Sequence, residues 1–177
     1  MLQGEAGYSR KSAQPDNASY YYSATRLPTT VEGDSWLDRE WSTSALGAEQ
    51  AGWDWFALQL SDGRDLMFYR LRNKDGSASD FSGGTLIAPD GTTQRLAVKD
   101  IIIEALDHWR SPRTGTRYPS RWRLQLPSQS LSLDIAPVIN DQELDLSVRY
   151  WEGAVSIKGA AGGKPLGGTG YVELAGY

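Results

Sequence analysis

Gly52-Trp53-Asp54-Trp55-Phe56-Ala57-Leu58-Gln59-Leu60, then Ser61-Asp62-Gly63-Arg64, then Asp65-Leu66-Met67-Phe68-Tyr69-Arg70-Leu71-Arg72, is the stretch that decides the fold. Two alternating runs rich in aromatic and aliphatic residues flank an Asp-Gly step, which is the short-range signature of a β-hairpin. In the first run Trp53, Trp55, Ala57 and Gln59 share one face, and Asp54, Phe56, Leu58 and Leu60 share the other. Each face mixes bulk with a polar group. The alternation alone therefore leaves open which face is inside, and both ordinary core packing and the lining of a pocket fit it.

Outward from the hairpin the same punctuation recurs. Gly33-Asp34, Asp75-Gly76, Gly83-Gly84, Asp90-Gly91 and Gly167-Gly168 separate further short alternating segments. Strands are expected near 18–26, 30–45, 52–61, 65–73, 83–88, 92–97, 101–109, 121–127, 130–136, 143–158 and 169–176. Many short strands at this spacing imply an all-β protein, an antiparallel barrel or sandwich. Thr93–Asp107 is the one segment that could pass for a helix, and its Ile101-Ile102-Ile103 run is β-branched and disfavours that reading. Gln14–Asn17, Ser111–Arg121 and the glycine-rich Gly159–Gly168 read as loops, the last as a mobile excursion. The domain reading is a lead-in over 1–17 followed by one barrel domain over 18–177.

Composition excludes several functions. The 177 residues contain 18 Lys+Arg and 22 Asp+Glu, a net charge of −4. That balance argues against nucleic acid as a partner, because phosphate binding needs a concentrated positive field. The arginine run Arg110, Arg113, Arg117, Arg121, Arg123 around Tyr118 and Trp122 reads as a solvated turn. There are no cysteines and one histidine, His108, so no thiolate or histidine-rich metal site is expected, and no cofactor is implied. His108 beside Trp109 reads as a structural histidine. No run approaches the roughly 18 apolar residues of a membrane span. The first residues lack the apolar stretch of a signal peptide. No Gly-x-Ser-x-Gly elbow supplies a serine nucleophile.

Aromatic usage is more informative. There are 7 Trp and 9 Tyr against 3 Phe. Rings with an apolar face and a polar handle suit a ligand cavity. The densest chemistry is Ser35-Trp36-Leu37-Asp38-Arg39-Glu40-Trp41-Ser42, where a period of two puts Trp36, Asp38 and Glu40 on one face. If that face is enclosed, proximity and burial would raise at least one carboxyl pKa and make a general acid. The alternative is ion pairing of Asp38 and Glu40 with neighbouring arginines. Tyr150-Trp151-Glu152 and Tyr171-Val172-Glu173 each put a phenol and a carboxylate on one face, and would form a cross-strand polar ladder if their strands were neighbours. The candidate site is therefore Asp38 and Glu40 as acids, with Trp36, Trp53, Trp55, Gln59, Tyr69, Tyr150 and Glu152 as ligand-binding residues.

Ala18–Ser23 (ASYYYS), Trp36–Trp41 (WLDREW), Gly52–Phe56 (GWDWF), Asp62–Arg72 (DGRDLMFYRLR), Tyr150–Gly153 (YWEG) and Gly168–Tyr177 (GTGYVELAGY) together resemble the AttH-like, carotenoid-hydratase-related lipocalin family. The resemblance implies a calycin-type, lipocalin-like β-barrel corresponding to the C-terminal half of a two-barrel bacterial protein. It also implies an extracytoplasmic setting; members are often labelled predicted secreted hydrolases. The partners it implies are a lipophilic small molecule, an N-terminal barrel of the same family and an ABC transporter. In related hydratases an aspartate is thought to protonate an isoprenoid double bond, and Asp38 is the position that best matches it. The function expected is binding of a lipophilic small molecule, with a cofactor-free hydratase or isomerase as the alternative.

Overall fold

The computed structural model describes residues 36–37, 46–145 and 149–177. Leu46–Tyr177 forms a compact unit by itself. Its strands are β1 (Gln50–Leu60), β2 (Asp65–Asn73), β3 (Gly83–Ile87), β4 (Thr93–Ala97), β5 (Ile102–Arg110), β6 (Arg117–Leu126), β7 (Leu131–Pro137), β8 (Glu143–Asp145), β9 (Arg149–Ala161) and β10 (Lys164–Ala175). Single 3₁₀ turns at Val98–Asp100 and Pro127–Gln129 are the only helical pieces among the described residues. The Thr93–Asp107 segment is thus strand, turn and strand, as its β-branched run demands.

All pairings are antiparallel, in the order β4-β3-β2-β1-β10-β9-β7-β6-β5, with β8 on β9. The β1–β2 hairpin forms as the Asp62-Gly63 step requires: Gly63 has φ +86°, a conformation that costs a residue without a Cβ little.

The sheet curls into a half-barrel. Phe56 on β1 and Trp122 on β6 are four strands apart in the sheet, about 19 Å if it were flat. Their rings instead meet edge to face at 5.8 Å. At one end, Gln129 in the β6–β7 turn donates to Gln94 of edge strand β4 at 2.9 Å. The concave side is filled by Phe56, Leu58, Leu66, Phe68, Leu96, Trp122, Leu124, Leu133, Ile135, Trp151, Val172 and Leu174, each at most 1% exposed. The core is a packed layer of side chains, with hydrophobic burial as its main driving force.

Two segments expected as loops are partly strand. Gly159–Gly168 is the tip of the longest hairpin, β9–β10, turning at Gly162 and Gly163 with φ of +53° and +78°. Its glycines let strands crowd: a Cβ at Gly159 would collide with the Ser132 carbonyl on β7. Low complexity here reflects close strand approach rather than mobility. Ser111–Arg121 also loses its second half to β6, which begins at Arg117. His108, expected as a structural histidine, is exposed on edge strand β5. The expected strand at 18–26, that at 30–45 apart from Trp36 and Leu37, and the boundary between 17 and 18 lie outside the described residues; Trp36 and Leu37 themselves are not in strand.

Candidate functional site

The register of four adjacent strands builds a pattern on the convex side of the sheet. One cross-strand row reads Tyr69 (β2), Trp55 (β1), Glu173 (β10), Glu152 (β9). The next reads Leu71, Trp53, Ala175, Tyr150, and on the other side lies Met67, Ala57, Tyr171, Ala154. Facing residues in such rows have Cβ atoms about 5 Å apart, close enough for side chains to interact directly. Trp53 and Tyr150 reach over the small Ala175 between them, and their rings stand 6.1 Å apart at 57°. The Trp53 indole Nε1 donates diagonally to Glu173 Oε1 at 2.7 Å.

Glu152 and Glu173 face each other directly. Tyr171 is hydrogen-bonded to Glu152; burial first, then the Glu152 charge and that hydrogen bond, push its phenol pKa up. The expected Tyr-x-Glu ladder therefore exists, with the two carboxylates opposed and each held by an aromatic donor. Trp53, Trp55, Tyr69, Tyr150, Glu152 and Glu173 are all half-buried.

The sequence candidates divide accordingly. Trp53, Trp55, Tyr69, Tyr150 and Glu152 are brought onto this one face, and Gln59 lies on it further along β1, between Asp65 and Thr169. Trp36 is half-buried and belongs to the other compact unit, Met1–Ala45. Asp38 and Glu40 lie outside the described residues.

Two buried polar clusters escaped the sequence reading. On the concave side Asp54 accepts from Arg72 Nε at 3.0 Å and from the Tyr177 hydroxyl at 2.7 Å. The Arg72 guanidinium lies 3.8 Å from the centre of the Tyr177 ring and donates to the Ala175 carbonyl. Burial raises the Asp54 pKa, and the charge of Arg72, the Tyr177 hydrogen bond and the charge of Arg70 counter that only in part. The Tyr177 phenol is pushed up too, chiefly by burial and then by the Asp54 charge. The signal was present in the sequence: Asp54 shares its face with Phe56, Leu58 and Leu60.

The second cluster centres on Glu143, whose side chain is fully buried. Its carboxylate accepts from Ser111 Oγ at 2.5 Å, Thr114 Oγ1 at 2.6 Å and the Tyr118 hydroxyl at 2.9 Å. Burial alone would raise its pKa, but the Ser111, Thr114 and Tyr118 hydrogen bonds and the charge of Arg113 outweigh that and hold it below the usual glutamate range. Tyr118 is pushed up to about 12 by burial and by Glu143. This carboxylate ties β8 to the β5–β6 turn, with its acceptor sites filled, so it is a structural brace.

Two of the five arginines in the run are in ion pairs: Arg113 meets Asp141 at 2.9 Å and Arg123 meets Asp134 at 2.7 Å. Among the described residues no group of three His, Asp or Glu side chains could hold a metal ion, and no helix is long and apolar enough to cross a membrane.

The family model for AttH-like proteins matches residues 1–177. The chain belongs to the AttH-like family. Among solved structures, this AttH-like chain is similar to an AttH protein from Nitrosomonas europaea, with 38% identity and a TM-score of 0.70 over 80% of its length. It also shares the fold of kievitone hydratase from Nectria haematococca, with 22% identity and a TM-score of 0.65 over 79% of its length. The alignments cover only 44% and 43% of those two chains, so this AttH-like chain spans less than half of each. No curated protein matches it.

Proposed function

We propose that this chain is a lipocalin-like module that binds a lipophilic small molecule against the aromatic face of β9, β10, β1 and β2. The observation behind this reading is the register that gathers Trp53, Trp55, Tyr69 and Tyr150 around Glu152 and Glu173. Ring faces bind hydrocarbon, while the carboxylates and the Tyr171 hydroxyl orient an oxygenated end, the mix that small-molecule sites use. The filled concave side supports assigning the ligand to this face rather than to the barrel centre.

Titration of tryptophan emission with fatty-acid, isoprenoid and polyketide panels tests the reading. Binding should quench or blue-shift the emission and tighten by about 0.8 kcal/mol per added methylene until the face is covered. Trp55→Ala should weaken it by about 1–3 kcal/mol. A panel that produces no saturable change contradicts the reading.

The opposed glutamates support a second reading, hydration of a carbon–carbon double bond in the same ligand. Like charges directly opposite destabilise a sheet, so their presence asks for a use. Water addition needs an acid that protonates one alkene carbon and a base that takes a proton from the water attacking the other. Glu152 and Glu173 would divide those roles, and the fold is shared with a hydratase. Glu152→Gln should then keep binding and lose the product one water heavier than the alkene. If the parent chain yields no such product from any bound alkene, this second reading fails and binding alone stands.

A further inference from the structure

Arg70 sits on β2 between Phe68 and Arg72 on the concave side, directly opposite Asp54 in register. Its Nε is buried and has no hydrogen-bond partner. A buried guanidinium N–H left unpaired is costly, and such groups in folded proteins ordinarily have partners. Asp54 does not serve, because the one carboxylate is engaged by Arg72 and Tyr177. Among the described residues the charges of two guanidinium groups, Arg70 and Arg72, act on this single carboxylate, a surplus of one positive charge.

That surplus charge borders a cleft. Phe68, Arg70, Ala78, Val98 and Ile101–Ile103 line a space of about 250 Å³. It arises because β4 and β5 end the sheet without pairing to each other, and the Val98–Ile101 connection crosses the gap between them. Among the described residues every lining side chain except that of Arg70 is apolar.

We propose that this seam cleft binds a short-chain anionic amphiphile, its carboxylate on Arg70 and its tail along Phe68, Val98 and the isoleucines. A carboxylate accepts from the guanidinium group that Arg70 presents to the cleft with good geometry, and neutralises the surplus charge. The cleft is smaller than the roughly 300–1,000 Å³ of drug-sized pockets, which selects a short tail. The site lies on the opposite side of β2 from Tyr69 and is independent of the aromatic face.

Calorimetric titration of the full chain with octanoate, octanol and acetate tests this. Octanoate should bind more tightly than octanol and acetate by on the order of tenfold to a hundredfold, because only it offers both charge and tail. Arg70→Gln should remove the preference for octanoate over octanol. Because Arg70 also faces Asp54, Ala78→Phe provides a second variant that keeps all the charges and fills the cleft. It should abolish the tighter binding of octanoate relative to octanol, whereas Trp55→Ala should leave that preference intact. Octanol binding as well as octanoate, acetate binding equally well, octanoate failing to bind the parent chain, or octanoate binding undiminished in Ala78→Phe would each overturn the proposal.

Discussion

The two faces of β1 are built from the same residue classes and end in opposite states. On the concave face Phe56 and Leu58 are completely buried, and the one carboxylate, Asp54, is locked by Arg72 and Tyr177. On the convex face Trp53 and Trp55 are half-buried, and the carboxylates beside them, Glu173 and Glu152, face each other. The first arrangement packs the apolar side chains of β1 away and pairs its one carboxylate within the chain. The second keeps large rings and opposed charges together at a cost in stability, and a cost of that kind is what a binding surface exhibits.

Mutations should separate the faces. Trp122 packs edge-on to Phe56 and 6.0 Å from Trp151, so Trp122→Ala should destabilise the fold by about 3–5 kcal/mol in urea unfolding. The half-buried Trp55 should cost clearly less when truncated to Ala, while losing more ligand affinity. Equal stability losses at the two sites would break the distinction between a packed face and a binding face.

A smaller effect sharpens it through pH. Glu143 has its pKa lowered on folding, so its contribution is full above the unfolded value of about 4.3 and is lost as pH falls through the folded one. Asp54 has its pKa raised, so the folded state holds a proton longer and stability declines as pH rises from about 3.9 toward the folded value. Glu143→Gln should therefore flatten the acid limb of a plot of stability against pH, and Asp54→Asn should remove the decline above it. An acid limb unchanged in Glu143→Gln would show that the brace has been misread.

Strand positions were largely legible from alternation and Asp-Gly or Gly-Gly punctuation, because those are local properties of the chain. Gly52–Leu60 and Asp65–Arg72 emerge within a residue or two of β1 and β2. The tip of the β9–β10 hairpin was not legible. Gly159 is small because Ser132, distant in sequence, lies against it, and composition alone cannot distinguish that from flexibility. The membership of the aromatic face was legible in Trp53, Trp55, Tyr69, Tyr150 and Glu152, but its side was not. Sidedness depends on which way the sheet curls, and that is set by distant partners such as Trp122 and Trp151. Glu143 was missed because its partners, Ser111, Thr114 and Tyr118, come from another turn and strand and mark no local pattern.

The most direct test is the indole region of a ¹⁵N–¹H correlation spectrum, recorded while the tightest binder of the lipophilic panels is titrated in. Trp151 donates its Nε1–H to the Asn140 carbonyl in the β7–β8 connection, and Trp53 donates its own to Glu173 on the convex face. Assigned by single Trp→Phe variants, the Trp53 and Trp55 indole signals should move in a saturable way, with Trp122 and Trp151 nearly still. Shifts confined to Trp122 and Trp151, with Trp53 and Trp55 unmoved, would put the ligand inside the half-barrel and contradict the account.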